Sequence, residues 1–200
     1  MARVFQKALL LVRWAFLFAL LLAPLPVLAQ DPEAIMPEVA APPADIGGTL
    51  SGAVTIFSDG SCLSNPGPGG WAARLKYADG RIVEMAGDEP QTTNNRMEMT
   101  AAIKALAAVQ DCPSITLVTD SEYLRKGITE WIHGWKRRGW MTAAKKPVLN
   151  KDLWQALDQL NRSDIKWRYT RGHAGDPDNE RCDELAQAYA RGETPPLQED

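Results

Sequence analysis

Ala53-Val54-Thr55-Ile56-Phe57-Ser58-Asp59-Gly60-Ser61-Cys62, with the segments that follow it to Met85, is the stretch that decides the fold. Ala53 to Ser58 is β-rich and apolar, and it ends at Asp59. Gly67-Pro68-Gly69-Gly70 reads as a turn cluster, and Trp71 to Tyr77 as the next strand. Asp79-Gly80 is a hairpin turn into Arg81-Ile82-Val83-Glu84-Met85, because glycine accepts the positive φ that such turns need. Three antiparallel strands in a row are therefore expected.

Working outward, Thr92 or Thr93 caps a helix whose apolar stripe is Met99, Ala102, Ile103, Leu106 and Val109. Ile115 to Thr119 is a strand without polar alternation, as expected of one buried on both faces. Short helical pieces follow over Ser121 to Lys126 and Thr129 to Lys136. A further helix is expected from Asn150 to Leu160, with Leu153, Trp154, Leu157 and Leu160 spaced for burial. Ile165 to Thr170 is the fifth strand, and a last helix runs from Asn179 to Ala190. The fold class is α/β: a five-stranded mixed sheet, three antiparallel strands then two parallel, with helices on both faces.

Residues 1–29 have the parts of a secretory leader. Arg3, Lys7 and Arg13 precede the apolar run Trp14 to Ala23, and Ala29 offers a small residue before a cut. The run is shorter than the ~20 apolar residues of a comfortable membrane span. The competing reading places the true start at Met36, with the product cytoplasmic rather than exported. Residues 30–50, rich in proline, alanine and acids, read as a disordered tether. The domain is expected over 51–192, and 193–200 as a flexible tail. Net charge is −3, so global charge does not point to nucleic acid. The three cysteines, Cys62, Cys112 and Cys182, show no C-x-x-C spacing, which indicates neither a zinc site nor a disulfide framework.

Asp59, Glu98, Asp120 and Asp183 each sit where a strand or helix meets a loop. Asp59 and Asp120 end strands that could lie side by side. Glu98 borders the buried stripe of its helix, and Asp183 opens the last helix, where the dipole favours negative charge. Taken singly, each reads as a solvated cap or turn residue. Together they form an oxygen-only set suited to Mg²⁺ or Mn²⁺ and to phosphodiester chemistry. Gly67, Gly69 and Gly70 are not a phosphate-binding loop, since no Gly-Lys-Ser/Thr follows and a strand comes next.

The motifs Asp59-Gly60-Ser61-Cys62, Asn65-Pro66-Gly67-Pro68-Gly69-Gly70 and Thr93-Asn94-Asn95-Arg96-Met97-Glu98 are similar to those of type 1, bacterial-class ribonuclease H. So are Thr119-Asp120-Ser121, Gly172-His173-Ala174-Gly175 and Asn179-Glu180-Arg181-Cys182-Asp183. The resemblance spans about residues 53 to 190. It implies endonucleolytic hydrolysis of the RNA strand of an RNA–DNA hybrid, leaving 5′-phosphate and 3′-hydroxyl ends. Two divalent ions, ~4 Å apart, would be held by Asp59, Glu98, Asp120 and Asp183, with Asp59 bridging both. His173 would carry protons, as suits an imidazole near neutral pH, and Asn179 would position the attacking water. His133, between Trp131 and Trp135, is read as structural or surface.

The resemblance also assigns the substrate contacts. Asn65, Asn94 and Asn95 would read RNA 2′-hydroxyls, which both donate and accept as amides do; the plainer reading is that Asn94 and Asn95 only start a helix. Trp131, Lys136, Arg137, Arg138, Lys145 and Lys146 form a basic, tryptophan-bearing handle for the DNA strand. Thr93 and Asn150 would hold a DNA phosphate. Met141, Ala144 and Leu149 stand where relatives are often charged, so weaker and less salt-sensitive binding is expected. A monomer suffices for all of this. The rival reading is a module that binds hybrid or duplex without cutting it. A transposase-like nuclease would need a longer chain.

Overall fold

A computed structural model describes residues 52–172 and 175–200. The leader and tether over 1–50 and His173 lie outside the described residues. Five strands form one mixed sheet of order β3-β2-β1-β4-β5. These are β1 Ala53–Cys62, β2 Gly67–Tyr77, β3 Ile82–Thr92, β4 Ser114–Thr119 and β5 Lys166–Tyr169. β1–β2 and β2–β3 pair antiparallel, while β4 runs parallel to both β1 and β5. The expected architecture is the observed one.

The first three strands are longer than their apolar runs. β1 continues through Asp59-Gly60-Ser61, pairing Asp59 with Ala72 and Cys62 with Gly69. Gly67 to Gly70 therefore belongs to a strand and not to a turn. Absent side chains make this possible. A Cβ on Gly70 would lie 2.2 Å from the Ala186 carbonyl oxygen, and one on Gly69 would lie 2.4 Å from the Thr92 methyl. Sequence patterning misses such a strand because its glycines serve close approach rather than chain reversal. The Asp79-Gly80 turn is as expected, with Gly80 at φ 96°.

Helix α1, Asn94–Ala108, is capped by Thr93, whose hydroxyl accepts from the Arg96 N–H at 3.4 Å. Met99, Ala102, Leu106 and Val109 from its expected stripe are fully buried against Ile56, Leu75, Ile115 and Leu117. The short helices α2, Glu122–Lys126, and α3, Ile132–Arg137, are joined by a π-helical turn over Gly127–Trp131. A Cβ on Gly127 would meet the Trp154 ring at 2.0 Å, so this turn admits the indole where an ordinary residue could not. Helix α4, Lys151–Leu160, supplies Trp154 and Leu157 to the same core, with Leu153 and Leu160 half-buried at its rim.

The opposite sheet face is covered by α5, Pro177–Ala190. Its Cys182, Leu185 and Ala186 pack on Phe57, Ala72 and Val118. Successive strand residues point to opposite faces, so Ile56 and Phe57 enter different cores. α5 starts two residues earlier than expected, because Pro177 takes the first turn and Asp176 caps the amides of Asp178 and Asn179. Asp183 consequently lies beyond the first turn, where the helix dipole has faded.

The segment read as a flexible tail is bonded to the sheet. The Glu84 N–H donates to the Gln198 carbonyl at 2.8 Å, and the Asp200 N–H to the Ile82 carbonyl at 3.1 Å. These bonds pair the start of the outer edge of β3, at Ile82 and Glu84, where backbone groups would otherwise lack partners. A short polar segment without periodicity carries no sign of such a partner. Among the described residues, no helix is long and apolar enough to cross a membrane.

Candidate active site

β1 and β4 place Phe57 beside Val118 in parallel register, which brings the following residues Asp59 and Asp120 together at one end of the sheet. Glu98 reaches them from the first turns of α1. The helix can approach because residue 60 is glycine: a Cβ there would sit 2.2 Å from the Glu98 amide nitrogen. Asp120 follows β4 directly and precedes Ser121, whose hydroxyl caps α2 by accepting from the Leu124 N–H at 3.3 Å. Gly172 closes the other side, since a Cβ there would lie 2.6 Å from an Asp120 carboxylate oxygen.

One carboxylate oxygen from each of Asp59, Glu98 and Asp120 lies within 4.8 Å of the others. Asp59 is buried and accepts the Gly60 N–H at 2.7 Å. Burial, then the charge of Asp120, pushes its pKa up to about 8. Burial and the charges of Asp59 and Asp120 hold Glu98 well above the usual carboxylate range. Glu98 Oε2 is buried and makes no hydrogen bond. Three converging carboxylates, one with an orphaned oxygen and two, Asp59 and Glu98, with raised pKa values, lack positive charge. The donors are all hard oxygens, so a Mg²⁺ or Mn²⁺ ion fits this set.

Asp183 belongs to the same field, for its charge raises both Asp59 and Glu98. It stands outside the grouping of three, and its Oδ1 accepts from Gln187 Nε2 at 2.7 Å. Asn179, one turn earlier on α5, is buried with its Oδ1 unpaired. Gln187 was not singled out in the sequence; its i+4 spacing from Asp183 is the signal that could have found it.

The RNase H family model matches residues 51–191. The chain belongs to the RNase H family. Ribonuclease H of Maricaulis maris is 60% identical over 147 residues, covering 71% of this chain and 98% of that one. Ribonuclease H of Cyanothece sp. is 56% identical over 146 residues, covering 72% and 93%. Among solved structures, LC9-RNase H1, described as a type 1 RNase H with the type 2 active-site motif, matches with a TM-score of 0.65 and 34% identity. That match covers 75% of this chain and 78% of LC9-RNase H1. The chain is a ribonuclease H, a hydrolase acting on RNA–DNA hybrids.

The remaining residues singled out in the sequence are placed as follows. Asn65 and Asn94 are brought together, with Asn65 Oδ1 accepting the Asn94 N–H at 3.3 Å, and both are exposed beside exposed Asn95. Asn150 adopts φ 56°, and its amide donates to the Tyr123 hydroxyl at 3.3 Å. In the basic segment, Trp131 meets Tyr123 edge-on and lies tilted against Trp135, which in turn meets Trp154. Lys136 is engaged with Asp158 at 2.6 Å, whereas Arg137, Lys145 and Lys146 are exposed. Arg138 donates through Nε to the Met141 carbonyl at 3.1 Å and is exposed. His133 is exposed.

Proposed function

We propose that this RNase H cuts the RNA strand of hybrids endonucleolytically, leaving 5′-phosphate and 3′-hydroxyl ends, with Mg²⁺ or Mn²⁺ as cofactor. The observation that carries this reading is the convergence of Asp59, Glu98 and Asp120, with Glu98 Oε2 buried and unpartnered. Two divalent ions held by these residues and Asp183 would activate the attacking water and stabilise the leaving 3′-oxygen. The chain's own groups supply the rest. Asp59 interacts with Glu98, Asp120 and Asp183 alike and would serve both ions. His173 would exchange a proton with the water or the leaving oxygen, and Asn179 Oδ1, buried and unpaired, would accept from that water. Asn65, Asn94 and Asn95 would bind 2′-hydroxyls and so direct the cut to RNA. Thr93, Asn150, Trp131, Arg137, Arg138, Lys145 and Lys146 would hold the DNA strand, with Lys136 secondary because Asp158 already neutralises it.

The test is cleavage of an end-labelled hybrid with Mg²⁺, with and without chelator. Asp59→Asn is expected to lower turnover by about 10³ or more while sparing hybrid affinity. Hybrid binding without any product in wild-type protein would establish a binding module instead. We further propose that residues 1–29 are a removable leader, that 30–50 are a tether, and that the protein works as a monomer. N-terminal sequencing of the native product separates a start at Gln30 from one at Met36, and sedimentation reports the mass.

A further inference from the structure

Helix α5 carries Asp183 and Asn179, and its Cys182 packs on Phe57 and Val118 of the sheet. An ion network adds a second anchor to its amino-terminal half. Glu84 of β3 has a fully buried side chain. It accepts both nitrogens of the Arg181 fork, Nε at 3.0 Å and Nη2 at 3.1 Å, and also pairs with Arg74 of β2. Asp178, at the start of α5, accepts from Arg74 Nε at 3.0 Å and Lys76 Nζ at 2.6 Å. The two α5 residues in this network flank Asn179, and Arg181 stands two positions before Asp183.

The carboxyl-terminal segment completes the shell. The Gln198 N–H donates to Glu84 Oε2 at 2.9 Å, the Pro196 carbonyl accepts from Arg181 Nη2 at 3.2 Å, and Leu197 packs on the α5-side core. Every oxygen of a fully buried carboxylate thus has a partner, and one partner belongs to a segment beyond the last helix. A bidentate guanidinium–carboxylate pair fixes orientation as well as distance. The network therefore sets where along the sheet the first turns of α5 lie.

We propose that Glu84 and the docked segment Pro196–Asp200 are positioning elements for the active site, fixing α5 so that Asp183 and Asn179 face Asp59 and Glu98. The inference rests on the reading of Asp183 as a metal-binding carboxylate. Glu84 touches neither substrate nor metal and acts through Arg181 and the helix.

The test uses the full chain, its Glu84→Gln variant, and a variant lacking residues 196–200. Mg²⁺ affinity is measured by titration calorimetry without nucleic acid, and α5 amide protection by hydrogen exchange. Both variants are expected to bind Mg²⁺ three- to tenfold more weakly, below or at the low end of the roughly 10- to 100-fold known for groups bonded directly to a ligand. Amide exchange should accelerate over 177–183 and remain unchanged in α1. KM for hybrid should stay within about twofold of wild type. If Glu84→Gln fails to fold, the truncated variant alone decides. Lower thermal stability with unchanged Mg²⁺ affinity and unchanged exchange at α5 overturns the proposal, leaving the network merely structural. Absence of Mg²⁺ binding in wild-type protein overturns the metal reading instead, and this inference with it.

Discussion

Asp59, Glu98 and Asp120 crowd three carboxylates into a space that favours a proton or a cation over three negative charges. Without metal, ionising Asp59 and Glu98 is opposed by burial and by their neighbours, and this cost falls on the folded state alone. Glu98→Gln should therefore raise the thermal midpoint of metal-free protein by a few degrees at pH 8 and leave it unchanged at pH 4. A calorimetric scan at the two pH values checks this; an equal shift at both would show that packing rather than charge is responsible. Gly172 supplies a second prediction. A methyl group there would press on the Asp120 carboxylate, so Gly172→Ala should lower turnover about a hundredfold with the circular dichroism spectrum intact. Asp59, Glu98, Asp120 and Asp183 are legible in the sequence as one acidic set. The orphaned Glu98 Oε2 and the Gly172 contact are not, because both depend on what the fold brings against them.

Elements were read more reliably in type than in extent. Helix α1 announced itself through its cap and stripe, α4 through its stripe alone, and the hairpin through Asp79-Gly80. The carboxyl-terminal half of β1 and the glycine-rich start of β2 were not legible, since their pairing depends on Thr92 and α5 approaching bare backbone. The handle shows the same division. Its basic residues are visible in sequence, but the Lys136–Asp158 pair and the left-handed backbone of Lys145, at φ 57°, are tertiary facts. A side chain in that region costs about 1–2 kcal/mol that glycine avoids, offset in part by glycine's greater freedom when unfolded. Lys145→Gly is thus expected to stabilise the protein by about 0.5–1 kcal/mol while reducing the salt slope of hybrid binding by about one charge. Denaturant titration and binding isotherms at several salt concentrations test the two halves separately.

At the scale of the whole molecule, stability, protonation and metal binding are linked. Asp59, with a folded-state value near 8, and Glu98, also raised, favour folding at low pH, and this contribution is lost as pH rises through their folded values. Glu84 runs the other way. Burial alone would raise it, but Arg181, the Gln198 amide and Arg74 outweigh burial and hold it below the ordinary value, so its contribution is lost on acidification. A cation at this site would replace the protons that Asp59 and Glu98 otherwise bind. Saturating Mg²⁺ should therefore raise the melting temperature more at pH 8 than at pH 5, where protons compete for the same oxygens. An increment independent of pH would count against metal binding at Asp59 and Glu98.

The sequence by itself determined the sheet class, the main helices, the acidic set and the family, because periodicity, caps and local motifs are properties of neighbouring residues. Only the tertiary structure decided that β1 runs on past Asp59, that Asp183 lies beyond the first turn of its helix, and that residues 196–200 dock on β3. Each of these depends on contacts between segments far apart in the chain. Backbone hydrogen bonds and buried charges must find partners wherever the fold supplies them, and no local pattern records where that will be.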